Sequence, residues 1–191
     1  MIKHLTAAAL LAAVASTATA APEPYILDAS HSQILFSYNH LGYSTTHGMF
    51  SGFDGEIAFD QEDPAASSVN ISFPVMSMLT GWEQRFAHLM SGDFFGASEG
   101  DMITFASTGI AVTGDNTAMI TGDLTMNGVT KSVVLDATMN QAGTHPMAEK
   151  PWAGFDATTS VLRSDFNVGN FAPFVGDEVQ IMISIEAMKA E

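Results

Sequence analysis

The segment Tyr25-Ile-Leu-Asp-Ala-Ser-His-Ser-Gln-Ile-Leu-Phe-Ser-Tyr-Asn-His40 shows the pattern that decides the fold of this chain. Apolar and polar residues alternate along its second half, with Ile34, Phe36 and Tyr38 on one face. A period of two is typical of an antiparallel strand with one face on a core or cavity and the other on water. Because this pattern returns about eight times before the C-terminus, it predicts a closed or nearly closed all-β protein.

The predicted strands are separated by clear turn signals. Asn127-Gly128 is the strongest, because it joins two alternating runs in the way that a type I′ hairpin requires. Short turns between sequential strands favour an up-and-down barrel, and a barrel of about eight strands holds side chains or one slim ligand. We therefore predict one antiparallel β-barrel of about eight strands, at 31–40, 47–60, 66–79, 102–113, 117–126, 130–140, 153–164 and 177–188.

One segment, near 82–91, has the spacing of a helix. Its apolar residues at helical spacing are Trp82, Phe86, Leu89 and Met90. The sequence Thr80-Gly-Trp-Glu83 reads as a capping box, and Gly92 is a suitable stop for the helix. We predict one short helix here, laid over the β structure.

Residues 1–20 have the pattern of a cleaved export signal. A short basic start precedes the apolar run 5–15, and Ala18-Thr-Ala20 matches a small-x-small cleavage site. We expect cleavage before Ala21, a single domain over 21–191 and a periplasmic location, because the signal looks bacterial. No run is long and apolar enough for stable membrane insertion. The chain has no cysteine, so the barrel must be stable without disulfides.

The charge of the chain excludes one class of partner. Its formal net charge is −15, and its six lysines and arginines are scattered along the sequence. Binding to nucleic acid requires clustered Lys and Arg, so nucleic acid is not an expected partner. Anionic lipid headgroups are repelled for the same reason.

Short motifs spread along the chain carry a family resemblance. They are Tyr25-x-x-Asp28-x-x-His31-Ser32, His40-x-Gly42, Gly48-x-Phe50-x-x-Phe53-x-Gly55, Arg85-x-x-His88-Leu89 with Asp93-Phe94-Phe95, Ile103-Thr104-Phe105, Gly122-x-Leu124-Thr125 with Gly128-Val129-Thr130-Lys131, and Arg163-x-Asp165-Phe166. In their identity and order, these motifs resemble those of the YceI-like family, which are exported, lipocalin-like proteins associated with polyisoprenoid lipids. The resemblance covers about residues 25–188.

The resemblance implies a lipocalin-like barrel with an elongated hydrophobic channel that holds an isoprenoid chain, such as a quinone tail or a polyprenyl phosphate. It implies a non-enzymatic carrier or reservoir, with this lipid as its expected ligand and no required cofactor. Methionine, present twelve times, suits a wall that adapts to a flexible apolar partner. The residues predicted to line or cover the channel are Phe36, Phe53, Phe73, Phe105 and Leu124 on strands, and Trp82, Phe86, Leu89 and Met90 on the helix. Arg85 is a candidate for contact with a polar head group, and Arg163 a weaker one.

Other functions remain as alternatives. The histidines His31, His40, His47 and His88, together with the methionines, would suit a periplasmic copper-handling protein without lipid cargo. His31 and His40 have opposite strand parity and should not converge, so no metal ligands are assigned. No Gly-x-Ser-x-Gly elbow or phosphate-binding loop occurs, and no catalytic residue is assigned. A barrel whose interior is filled by side chains would instead indicate an interaction module. Separately, an exposed strand edge or the barrel mouth could pair two copies of the chain into a homodimer.

Overall fold

The computed structural model describes residues 21–191, so the predicted export signal lies outside the described residues. Residues 21–191 form ten strands and one α-helix, α1, with short 3₁₀ turns between some of them. The strands are β1 (Glu23–Leu27), β2 (Gln33–His40), β3 (Ser44–Phe50), β4 (Asp54–Phe59), β5 (Ser68–Pro74), β6 (Met102–Gly114), β7 (Thr117–Met126), β8 (Val129–Thr144), β9 (Pro151–Leu162) and β10 (Glu178–Lys189), and α1 is Glu83–Met90. Within 21–191, no helix is both long and apolar enough to cross a bilayer.

Eight of these strands close into a barrel. The order is β1-β4-β5-β6-β7-β8-β9-β10, and β10 pairs back onto β1, with every pairing antiparallel. After a turn at 28–32, β2 continues along the same edge of β10, and β3 pairs with β2. The prediction of one lipocalin-like, all-β barrel of about eight strands with one short helix is thereby confirmed.

The predicted strand boundaries need three corrections. The predicted strand 47–60 is two strands, β3 and β4, because the chain turns at Gly52, which has a φ of +70°. The prediction missed β1, which has only five residues, and the polar start of β3 at Ser44, which does not alternate. The predicted strand 66–79 ends at Pro74, where a 3₁₀ turn begins. The hairpin at Asn127-Gly128 has positive φ at both residues, as a type I′ turn requires.

The capping box predicted for α1 is wrong. Trp82 occupies the N-cap position, and no side chain caps the helix there. The Thr80 hydroxyl donates to the Trp82 carbonyl at 2.8 Å and accepts from the Trp82 amide at 3.4 Å, so it stabilises the turn before the helix. The helix ends at Met90, two residues before Gly92.

The two ends of the barrel differ in their connections. At the end that we call the α1 end lie the β2–β3 turn, the connection 75–101 with α1, the β7–β8 hairpin and the β9–β10 connection 163–177. At the opposite end, the far end, lie both chain termini of the barrel and the β4–β5, β6–β7 and β8–β9 connections. This arrangement follows from the antiparallel pairing of successive strands.

Candidate ligand cavity

An apolar cavity of about 280 Å³ occupies the inside of the barrel. Its wall is made by the inward side chains of β2 to β10, such as Ile34 on β2, Leu135 on β8 and Ile183 on β10. These positions follow the period of two that the sequence shows, because alternate side chains of a strand point to the same face. The cavity runs from Leu89 at the α1 end to the β6–β7 turn, residues 115–116, at the far end.

Phenylalanine rings form one part of the wall. The ring centroids of Phe36 and Phe50 are 5.4 Å apart, those of Phe50 and Phe73 are 5.1 Å apart, and those of Phe73 and Phe53 are 5.1 Å apart. Such distances and tilts are typical of favourable aromatic packing. All four rings line the cavity. The predicted lining residues Phe36, Phe53 and Phe73 therefore lie at its wall.

The other predicted strand residues, Phe105 and Leu124, are cross-strand neighbours on β6 and β7, and both line the cavity. For these residues, as for the phenylalanines, contact with a ligand stays a prediction.

Of the predicted helix residues, Leu89 lines the cavity. Met90 is buried in the core, and Phe86 packs against the core while partly exposed. Trp82, which precedes the helix, is exposed. Arg85 donates from Nη1 to the Thr80 carbonyl at 2.9 Å and lies 5.9 Å from the Trp82 ring centroid. Neither Trp82 nor Arg85 is among the residues that line the cavity.

A row of small residues, which the sequence reasoning missed, crosses the wall. Ala118, Ala137 and Ala157 are direct cross-strand partners on β7, β8 and β9, and all three line the cavity. Three adjacent methyl groups leave space that larger side chains would fill. The signal for this row was present in the sequence, as alanines at inward positions of successive strands. A search for large apolar side chains does not detect it.

Arg163 is a buried cation at the α1 end of the cavity. Its guanidinium donates to the carbonyls of Gly176 (2.9 Å), Val168 (2.8 Å), Asn170 (3.3 Å) and Val175 (2.9 Å). Burial lowers the pKa of Arg163, and the nearby Asp177 acts in the opposite direction. The side chain remains protonated, because arginine does not lose its proton in proteins. Arg163 thus fixes the β9–β10 connection from within.

The histidines of the described residues do not converge. His40 and His47 are exposed on β2 and β3, and His88 contacts Asp93 at 3.0 Å. Within 21–191, the one group of at least three side chains with metal-ligand spacing is Asp28, His31 and Glu186, whose ligand atoms lie within 4.8 Å of one another. It contains one histidine and two carboxylates. A metal analysis of protein purified without chelator tests the copper alternative.

The Asp28 carboxylate is held by local hydrogen bonds. The Ser30 hydroxyl donates to Asp28 Oδ1 at 2.6 Å, and His31 Nδ1 lies 2.7 Å from Asp28 Oδ2. These bonds, first from Ser30 and then from His31, lower the pKa of Asp28, while the Asp28 carboxylate raises the pKa of His31. Ser32 Oγ donates to the Asp28 carbonyl and accepts from the Glu186 amide, so the turn between β1 and β2 is tied to β10.

A closed antiparallel barrel of lipocalin type, with an apolar cavity along its axis, defines the class of this protein. The YceI-like domain family matches residues 25–187, and the chain belongs to this family. A UPF0312 protein of Ectopseudomonas mendocina is 36% identical over 195 residues, which cover 99% of this chain and 100% of the relative.

Solved structures agree with this assignment. BcnA of Burkholderia cenocepacia is 28% identical, with a TM-score of 0.75, over 84% of this chain and 98% of BcnA. A polyisoprenoid binding domain from Saccharophagus degradans, implicated in plant cell wall breakdown, has a TM-score of 0.68 over 87% of this chain and 98% of that domain. Its identity is 12%, so this likeness shows a shared fold.

Proposed function

We propose that this protein is a non-enzymatic periplasmic carrier or reservoir that holds a long isoprenoid lipid, of quinone or polyprenyl type, in the barrel cavity. The observation that carries the proposal is the apolar cavity that continues from Leu89 at the α1 end to the β6–β7 turn at the far end. A slender, flexible, apolar chain fits such a shape better than a compact polar ligand. The S. degradans domain of the same fold, which binds polyisoprenoid, supports this ligand class.

The energetics of association favour a long chain. Each buried CH₂ contributes about 0.8 kcal/mol, whereas association costs roughly 4–15 kcal/mol before any net affinity appears. An acyl chain of about ten carbons contributes about 8 kcal/mol, which lies within the range of that cost. An isoprenoid of several units exceeds it clearly, so tight binding in an apolar cavity argues for length.

The positions of the ionisable groups support binding over catalysis. The two histidine–carboxylate contacts of the described residues, His31–Asp28 and His88–Asp93, have exposed imidazoles, and neither lines the cavity. General acid–base catalysis on a cargo would require such a pair within hydrogen-bond distance of it. The periplasmic location is part of the proposal and is supported by the signal-like sequence of residues 1–20.

The first experiment is mass spectrometry of an organic extract of the protein, purified under native conditions from a periplasmic fraction. We expect a quinone or polyprenyl species near one molecule per chain. Ligand-stripped protein is then incubated with the same lipid, and mass spectrometry of an extract of the re-purified protein measures its uptake. A stripped protein that takes up no quinone or polyprenyl lipid would contradict the proposal.

A matched pair of variants localises the uptake. Ala157→Phe places a ring inside the cavity, while Thr158→Phe places the same ring on the outside of the same strand, where Thr158 is exposed. We expect Ala157→Phe to weaken lipid binding at least tenfold and Thr158→Phe to leave it unchanged. Equal affinities in the two folded variants would place the lipid outside the barrel.

A further inference from the structure

Four large apolar side chains are exposed together at the α1 end, and we call them the aromatic tip: Leu41, Tyr43, Phe171 and Phe174. Tyr43 is 91% exposed and Phe174 is 74% exposed, while Leu41 and Phe171 are about half exposed. Leu41 and Tyr43 belong to the β2–β3 turn, and Phe171 and Phe174 belong to the β9–β10 connection. The Leu41 amide donates to the Phe174 carbonyl at 3.0 Å, so the two loops form one surface.

Two residues of the aromatic tip, Leu41 and Phe171, have a strained backbone. Leu41 has a φ of +57° and Phe171 a φ of +65°. Bulky residues rarely adopt this left-handed region, and such strain occurs preferentially at functional sites. The β9–β10 connection cannot easily relax, because Arg163 binds its carbonyls from within. Folding thus maintains an exposed apolar surface that costs stability.

The aromatic tip is continuous with the cavity. The ring centroids of Phe171 and Phe94 are 5.7 Å apart, and Phe94 lines the cavity while remaining partly exposed. The Arg163 guanidinium lies 5.9 Å from the Phe94 ring centroid and holds the same region together. An apolar path therefore leads from the outer surface of the aromatic tip to the cavity wall.

Area and charge select the partner. A fully exposed side chain of this size has an accessible area of about 200 Å², so the aromatic tip exposes roughly 500 Å². Each partner of a standard protein interface buries more, about 800 Å². The aromatic tip contains no Lys or Arg, and the chain carries a net charge of −15, so anionic headgroups do not attract it. A surface of tyrosine and apolar side chains with no Lys or Arg among them suits the interfacial layer of an uncharged or zwitterionic bilayer.

We propose that the aromatic tip inserts into the headgroup layer of a zwitterionic phospholipid bilayer and brings the α1 end of the cavity against the lipid. The biological role of this insertion rests on the proposed function, because the protein would collect or deliver its isoprenoid cargo at a bilayer. The insertion itself requires no cargo. It is reversible and needs no membrane-spanning segment.

The test is flotation of the protein with vesicles of phosphatidylcholine and phosphatidylethanolamine that contain no isoprenoid. We expect the wild-type protein to float with the vesicles, equally at low salt and in about 0.5 M NaCl, because apolar insertion is not screened by salt. Adding anionic phosphatidylglycerol should lower the bound fraction. The double variant Tyr43→Ser with Phe174→Ser should lower it at least tenfold, and Phe174→Ser alone should lower it by a smaller factor.

The matched control is Met147→Ser, which removes a side chain that is 88% exposed in the β8–β9 turn at the far end. It should float like the wild type. Absence of flotation by the wild-type protein, or equal loss in Met147→Ser and the double variant, would overturn the proposal. One more outcome would overturn it: light scattering shows that the wild-type protein is a dimer and the double variant a monomer, and neither binds vesicles. The aromatic tip would then bind a second copy of the chain.

A cargo titration without vesicles separates the two proposals. A double variant that still takes up isoprenoid lipid from ethanol but no longer floats supports the bilayer proposal. A wild-type protein that floats but takes up no isoprenoid contradicts the proposed function and leaves the bilayer proposal standing. Circular dichroism and a thermal melt verify that each variant is folded.

Discussion

The two ends of the barrel are stabilised by different kinds of contact. At the α1 end, the buried Arg163 binds four backbone carbonyls, and aromatic side chains pass from the cavity wall to the surface. At the far end, the longest connection is 60–67, and the charged contacts include surface ion pairs such as Lys189–Glu23 at 2.6 Å and Lys150–Glu191 at 2.6 Å. Both ends have surface ion pairs, such as Lys131–Asp165 at the α1 end, but within 21–191 only the α1 end has a buried cation, Arg163.

The difference indicates where function is concentrated. The long connections 75–101 and 163–177 are both at the α1 end. Connections longer than about 12–15 residues in a compact domain are uncommon and are often functional. The backbone of 163–177 needs internal partners, which Arg163 supplies, whereas short turns satisfy their backbone groups locally. We therefore expect substitutions at the α1 end to cost more stability than comparable substitutions at the far end.

The largest expected effect is that of Arg163→Ala. It leaves four carbonyls without their donor, and an unsatisfied buried acceptor costs about 1–3 kcal/mol. Because water can reach some of them after relaxation, we expect a loss of at least about 3 kcal/mol in the free energy of unfolding. Urea unfolding followed by circular dichroism measures it.

The control for Arg163 is Arg85→Ala, since Arg85 makes one hydrogen bond, to the Thr80 carbonyl, near the surface. It should cost less than about 1.5 kcal/mol. Arg163→Lys should fall between the two alanine variants, because lysine keeps the charge but not the planar fork. If Arg163→Ala and Arg85→Ala lower the free energy of unfolding equally, the burial of Arg163 does not increase its contribution to stability.

The next effect concerns two glycines, Gly48 on β3 and Gly143 near the far end of β8. A Cβ at Gly48 would overlap the ring of Phe36, its cross-strand partner, whereas a Cβ at Gly143 would meet nothing within 4 Å. We expect Gly48→Ala to cost about 1–3 kcal/mol by overpacking. Gly143→Ala should be neutral or stabilising by up to about 1 kcal/mol, because it restricts the unfolded chain.

Thermal and urea unfolding of both glycine variants test this difference. Because Phe36 lines the cavity, Gly48→Ala should also push its ring inward and weaken lipid uptake. If the two variants have the same stability, the close approach of Phe36 to β3 does not constrain the fold.

The fold was predictable from sequence where the period of two is long and regular. The last strand, with Val179, Ile181, Ile183 and Ile185 on its inner face, is an example, because burial of one face fixes both the pattern and the register. The short strand β1 was not predictable in this way, since its five residues carry too little pattern.

The site was predictable in part for similar reasons. Inward phenylalanines such as Phe73 are visible in the alternation, whereas the small side chains of the alanine row carry no such signal. Trp82 has the right helical spacing, but α1 begins one residue later and the indole stays outside. The contacts of Arg163 and the aromatic tip depend on loop geometry, which periodicity does not encode.

A smaller effect is expected for Lys189→Met at the far end. Its ammonium contacts the Glu23 carboxylate at the surface, and exposed ion pairs contribute about 0–1 kcal/mol. Methionine keeps an apolar stem of similar length, so we expect a loss below about 1 kcal/mol that shrinks further in high salt. Urea unfolding at two salt concentrations measures it. A loss as large as that of Arg163→Ala would remove the distinction between the two ends.

The smallest effect is a pH dependence at the turn between β1 and β2. The Asp28 carboxylate raises the pKa of His31, so we expect His31 to titrate above the ordinary imidazole value of about 6.5. A histidine with a raised folded pKa contributes stability that is complete below its unfolded pKa and is lost as the pH rises through its folded pKa. The pKa of Asp28 is lowered, first by Ser30 and then by His31, so its contribution is present above about pH 4 and is lost as the pH falls through its folded pKa.

The contact between Asp28 and His31 should therefore stabilise the turn most between about pH 4 and 6.5. NMR titration of the His31 ring protons in the folded protein, with the urea-unfolded chain as reference, measures the difference in pKa. Asp28→Asn removes the negative charge but keeps the shape of the side chain, so the His31 pKa should return toward the unfolded value. A folded His31 that titrates at or below its unfolded value would show that the Asp28 carboxylate does not interact with the imidazole in solution. In that case the turn would be held to β10 by the Ser32 bonds to the Asp28 carbonyl and the Glu186 amide, and its stability would be independent of pH in this range.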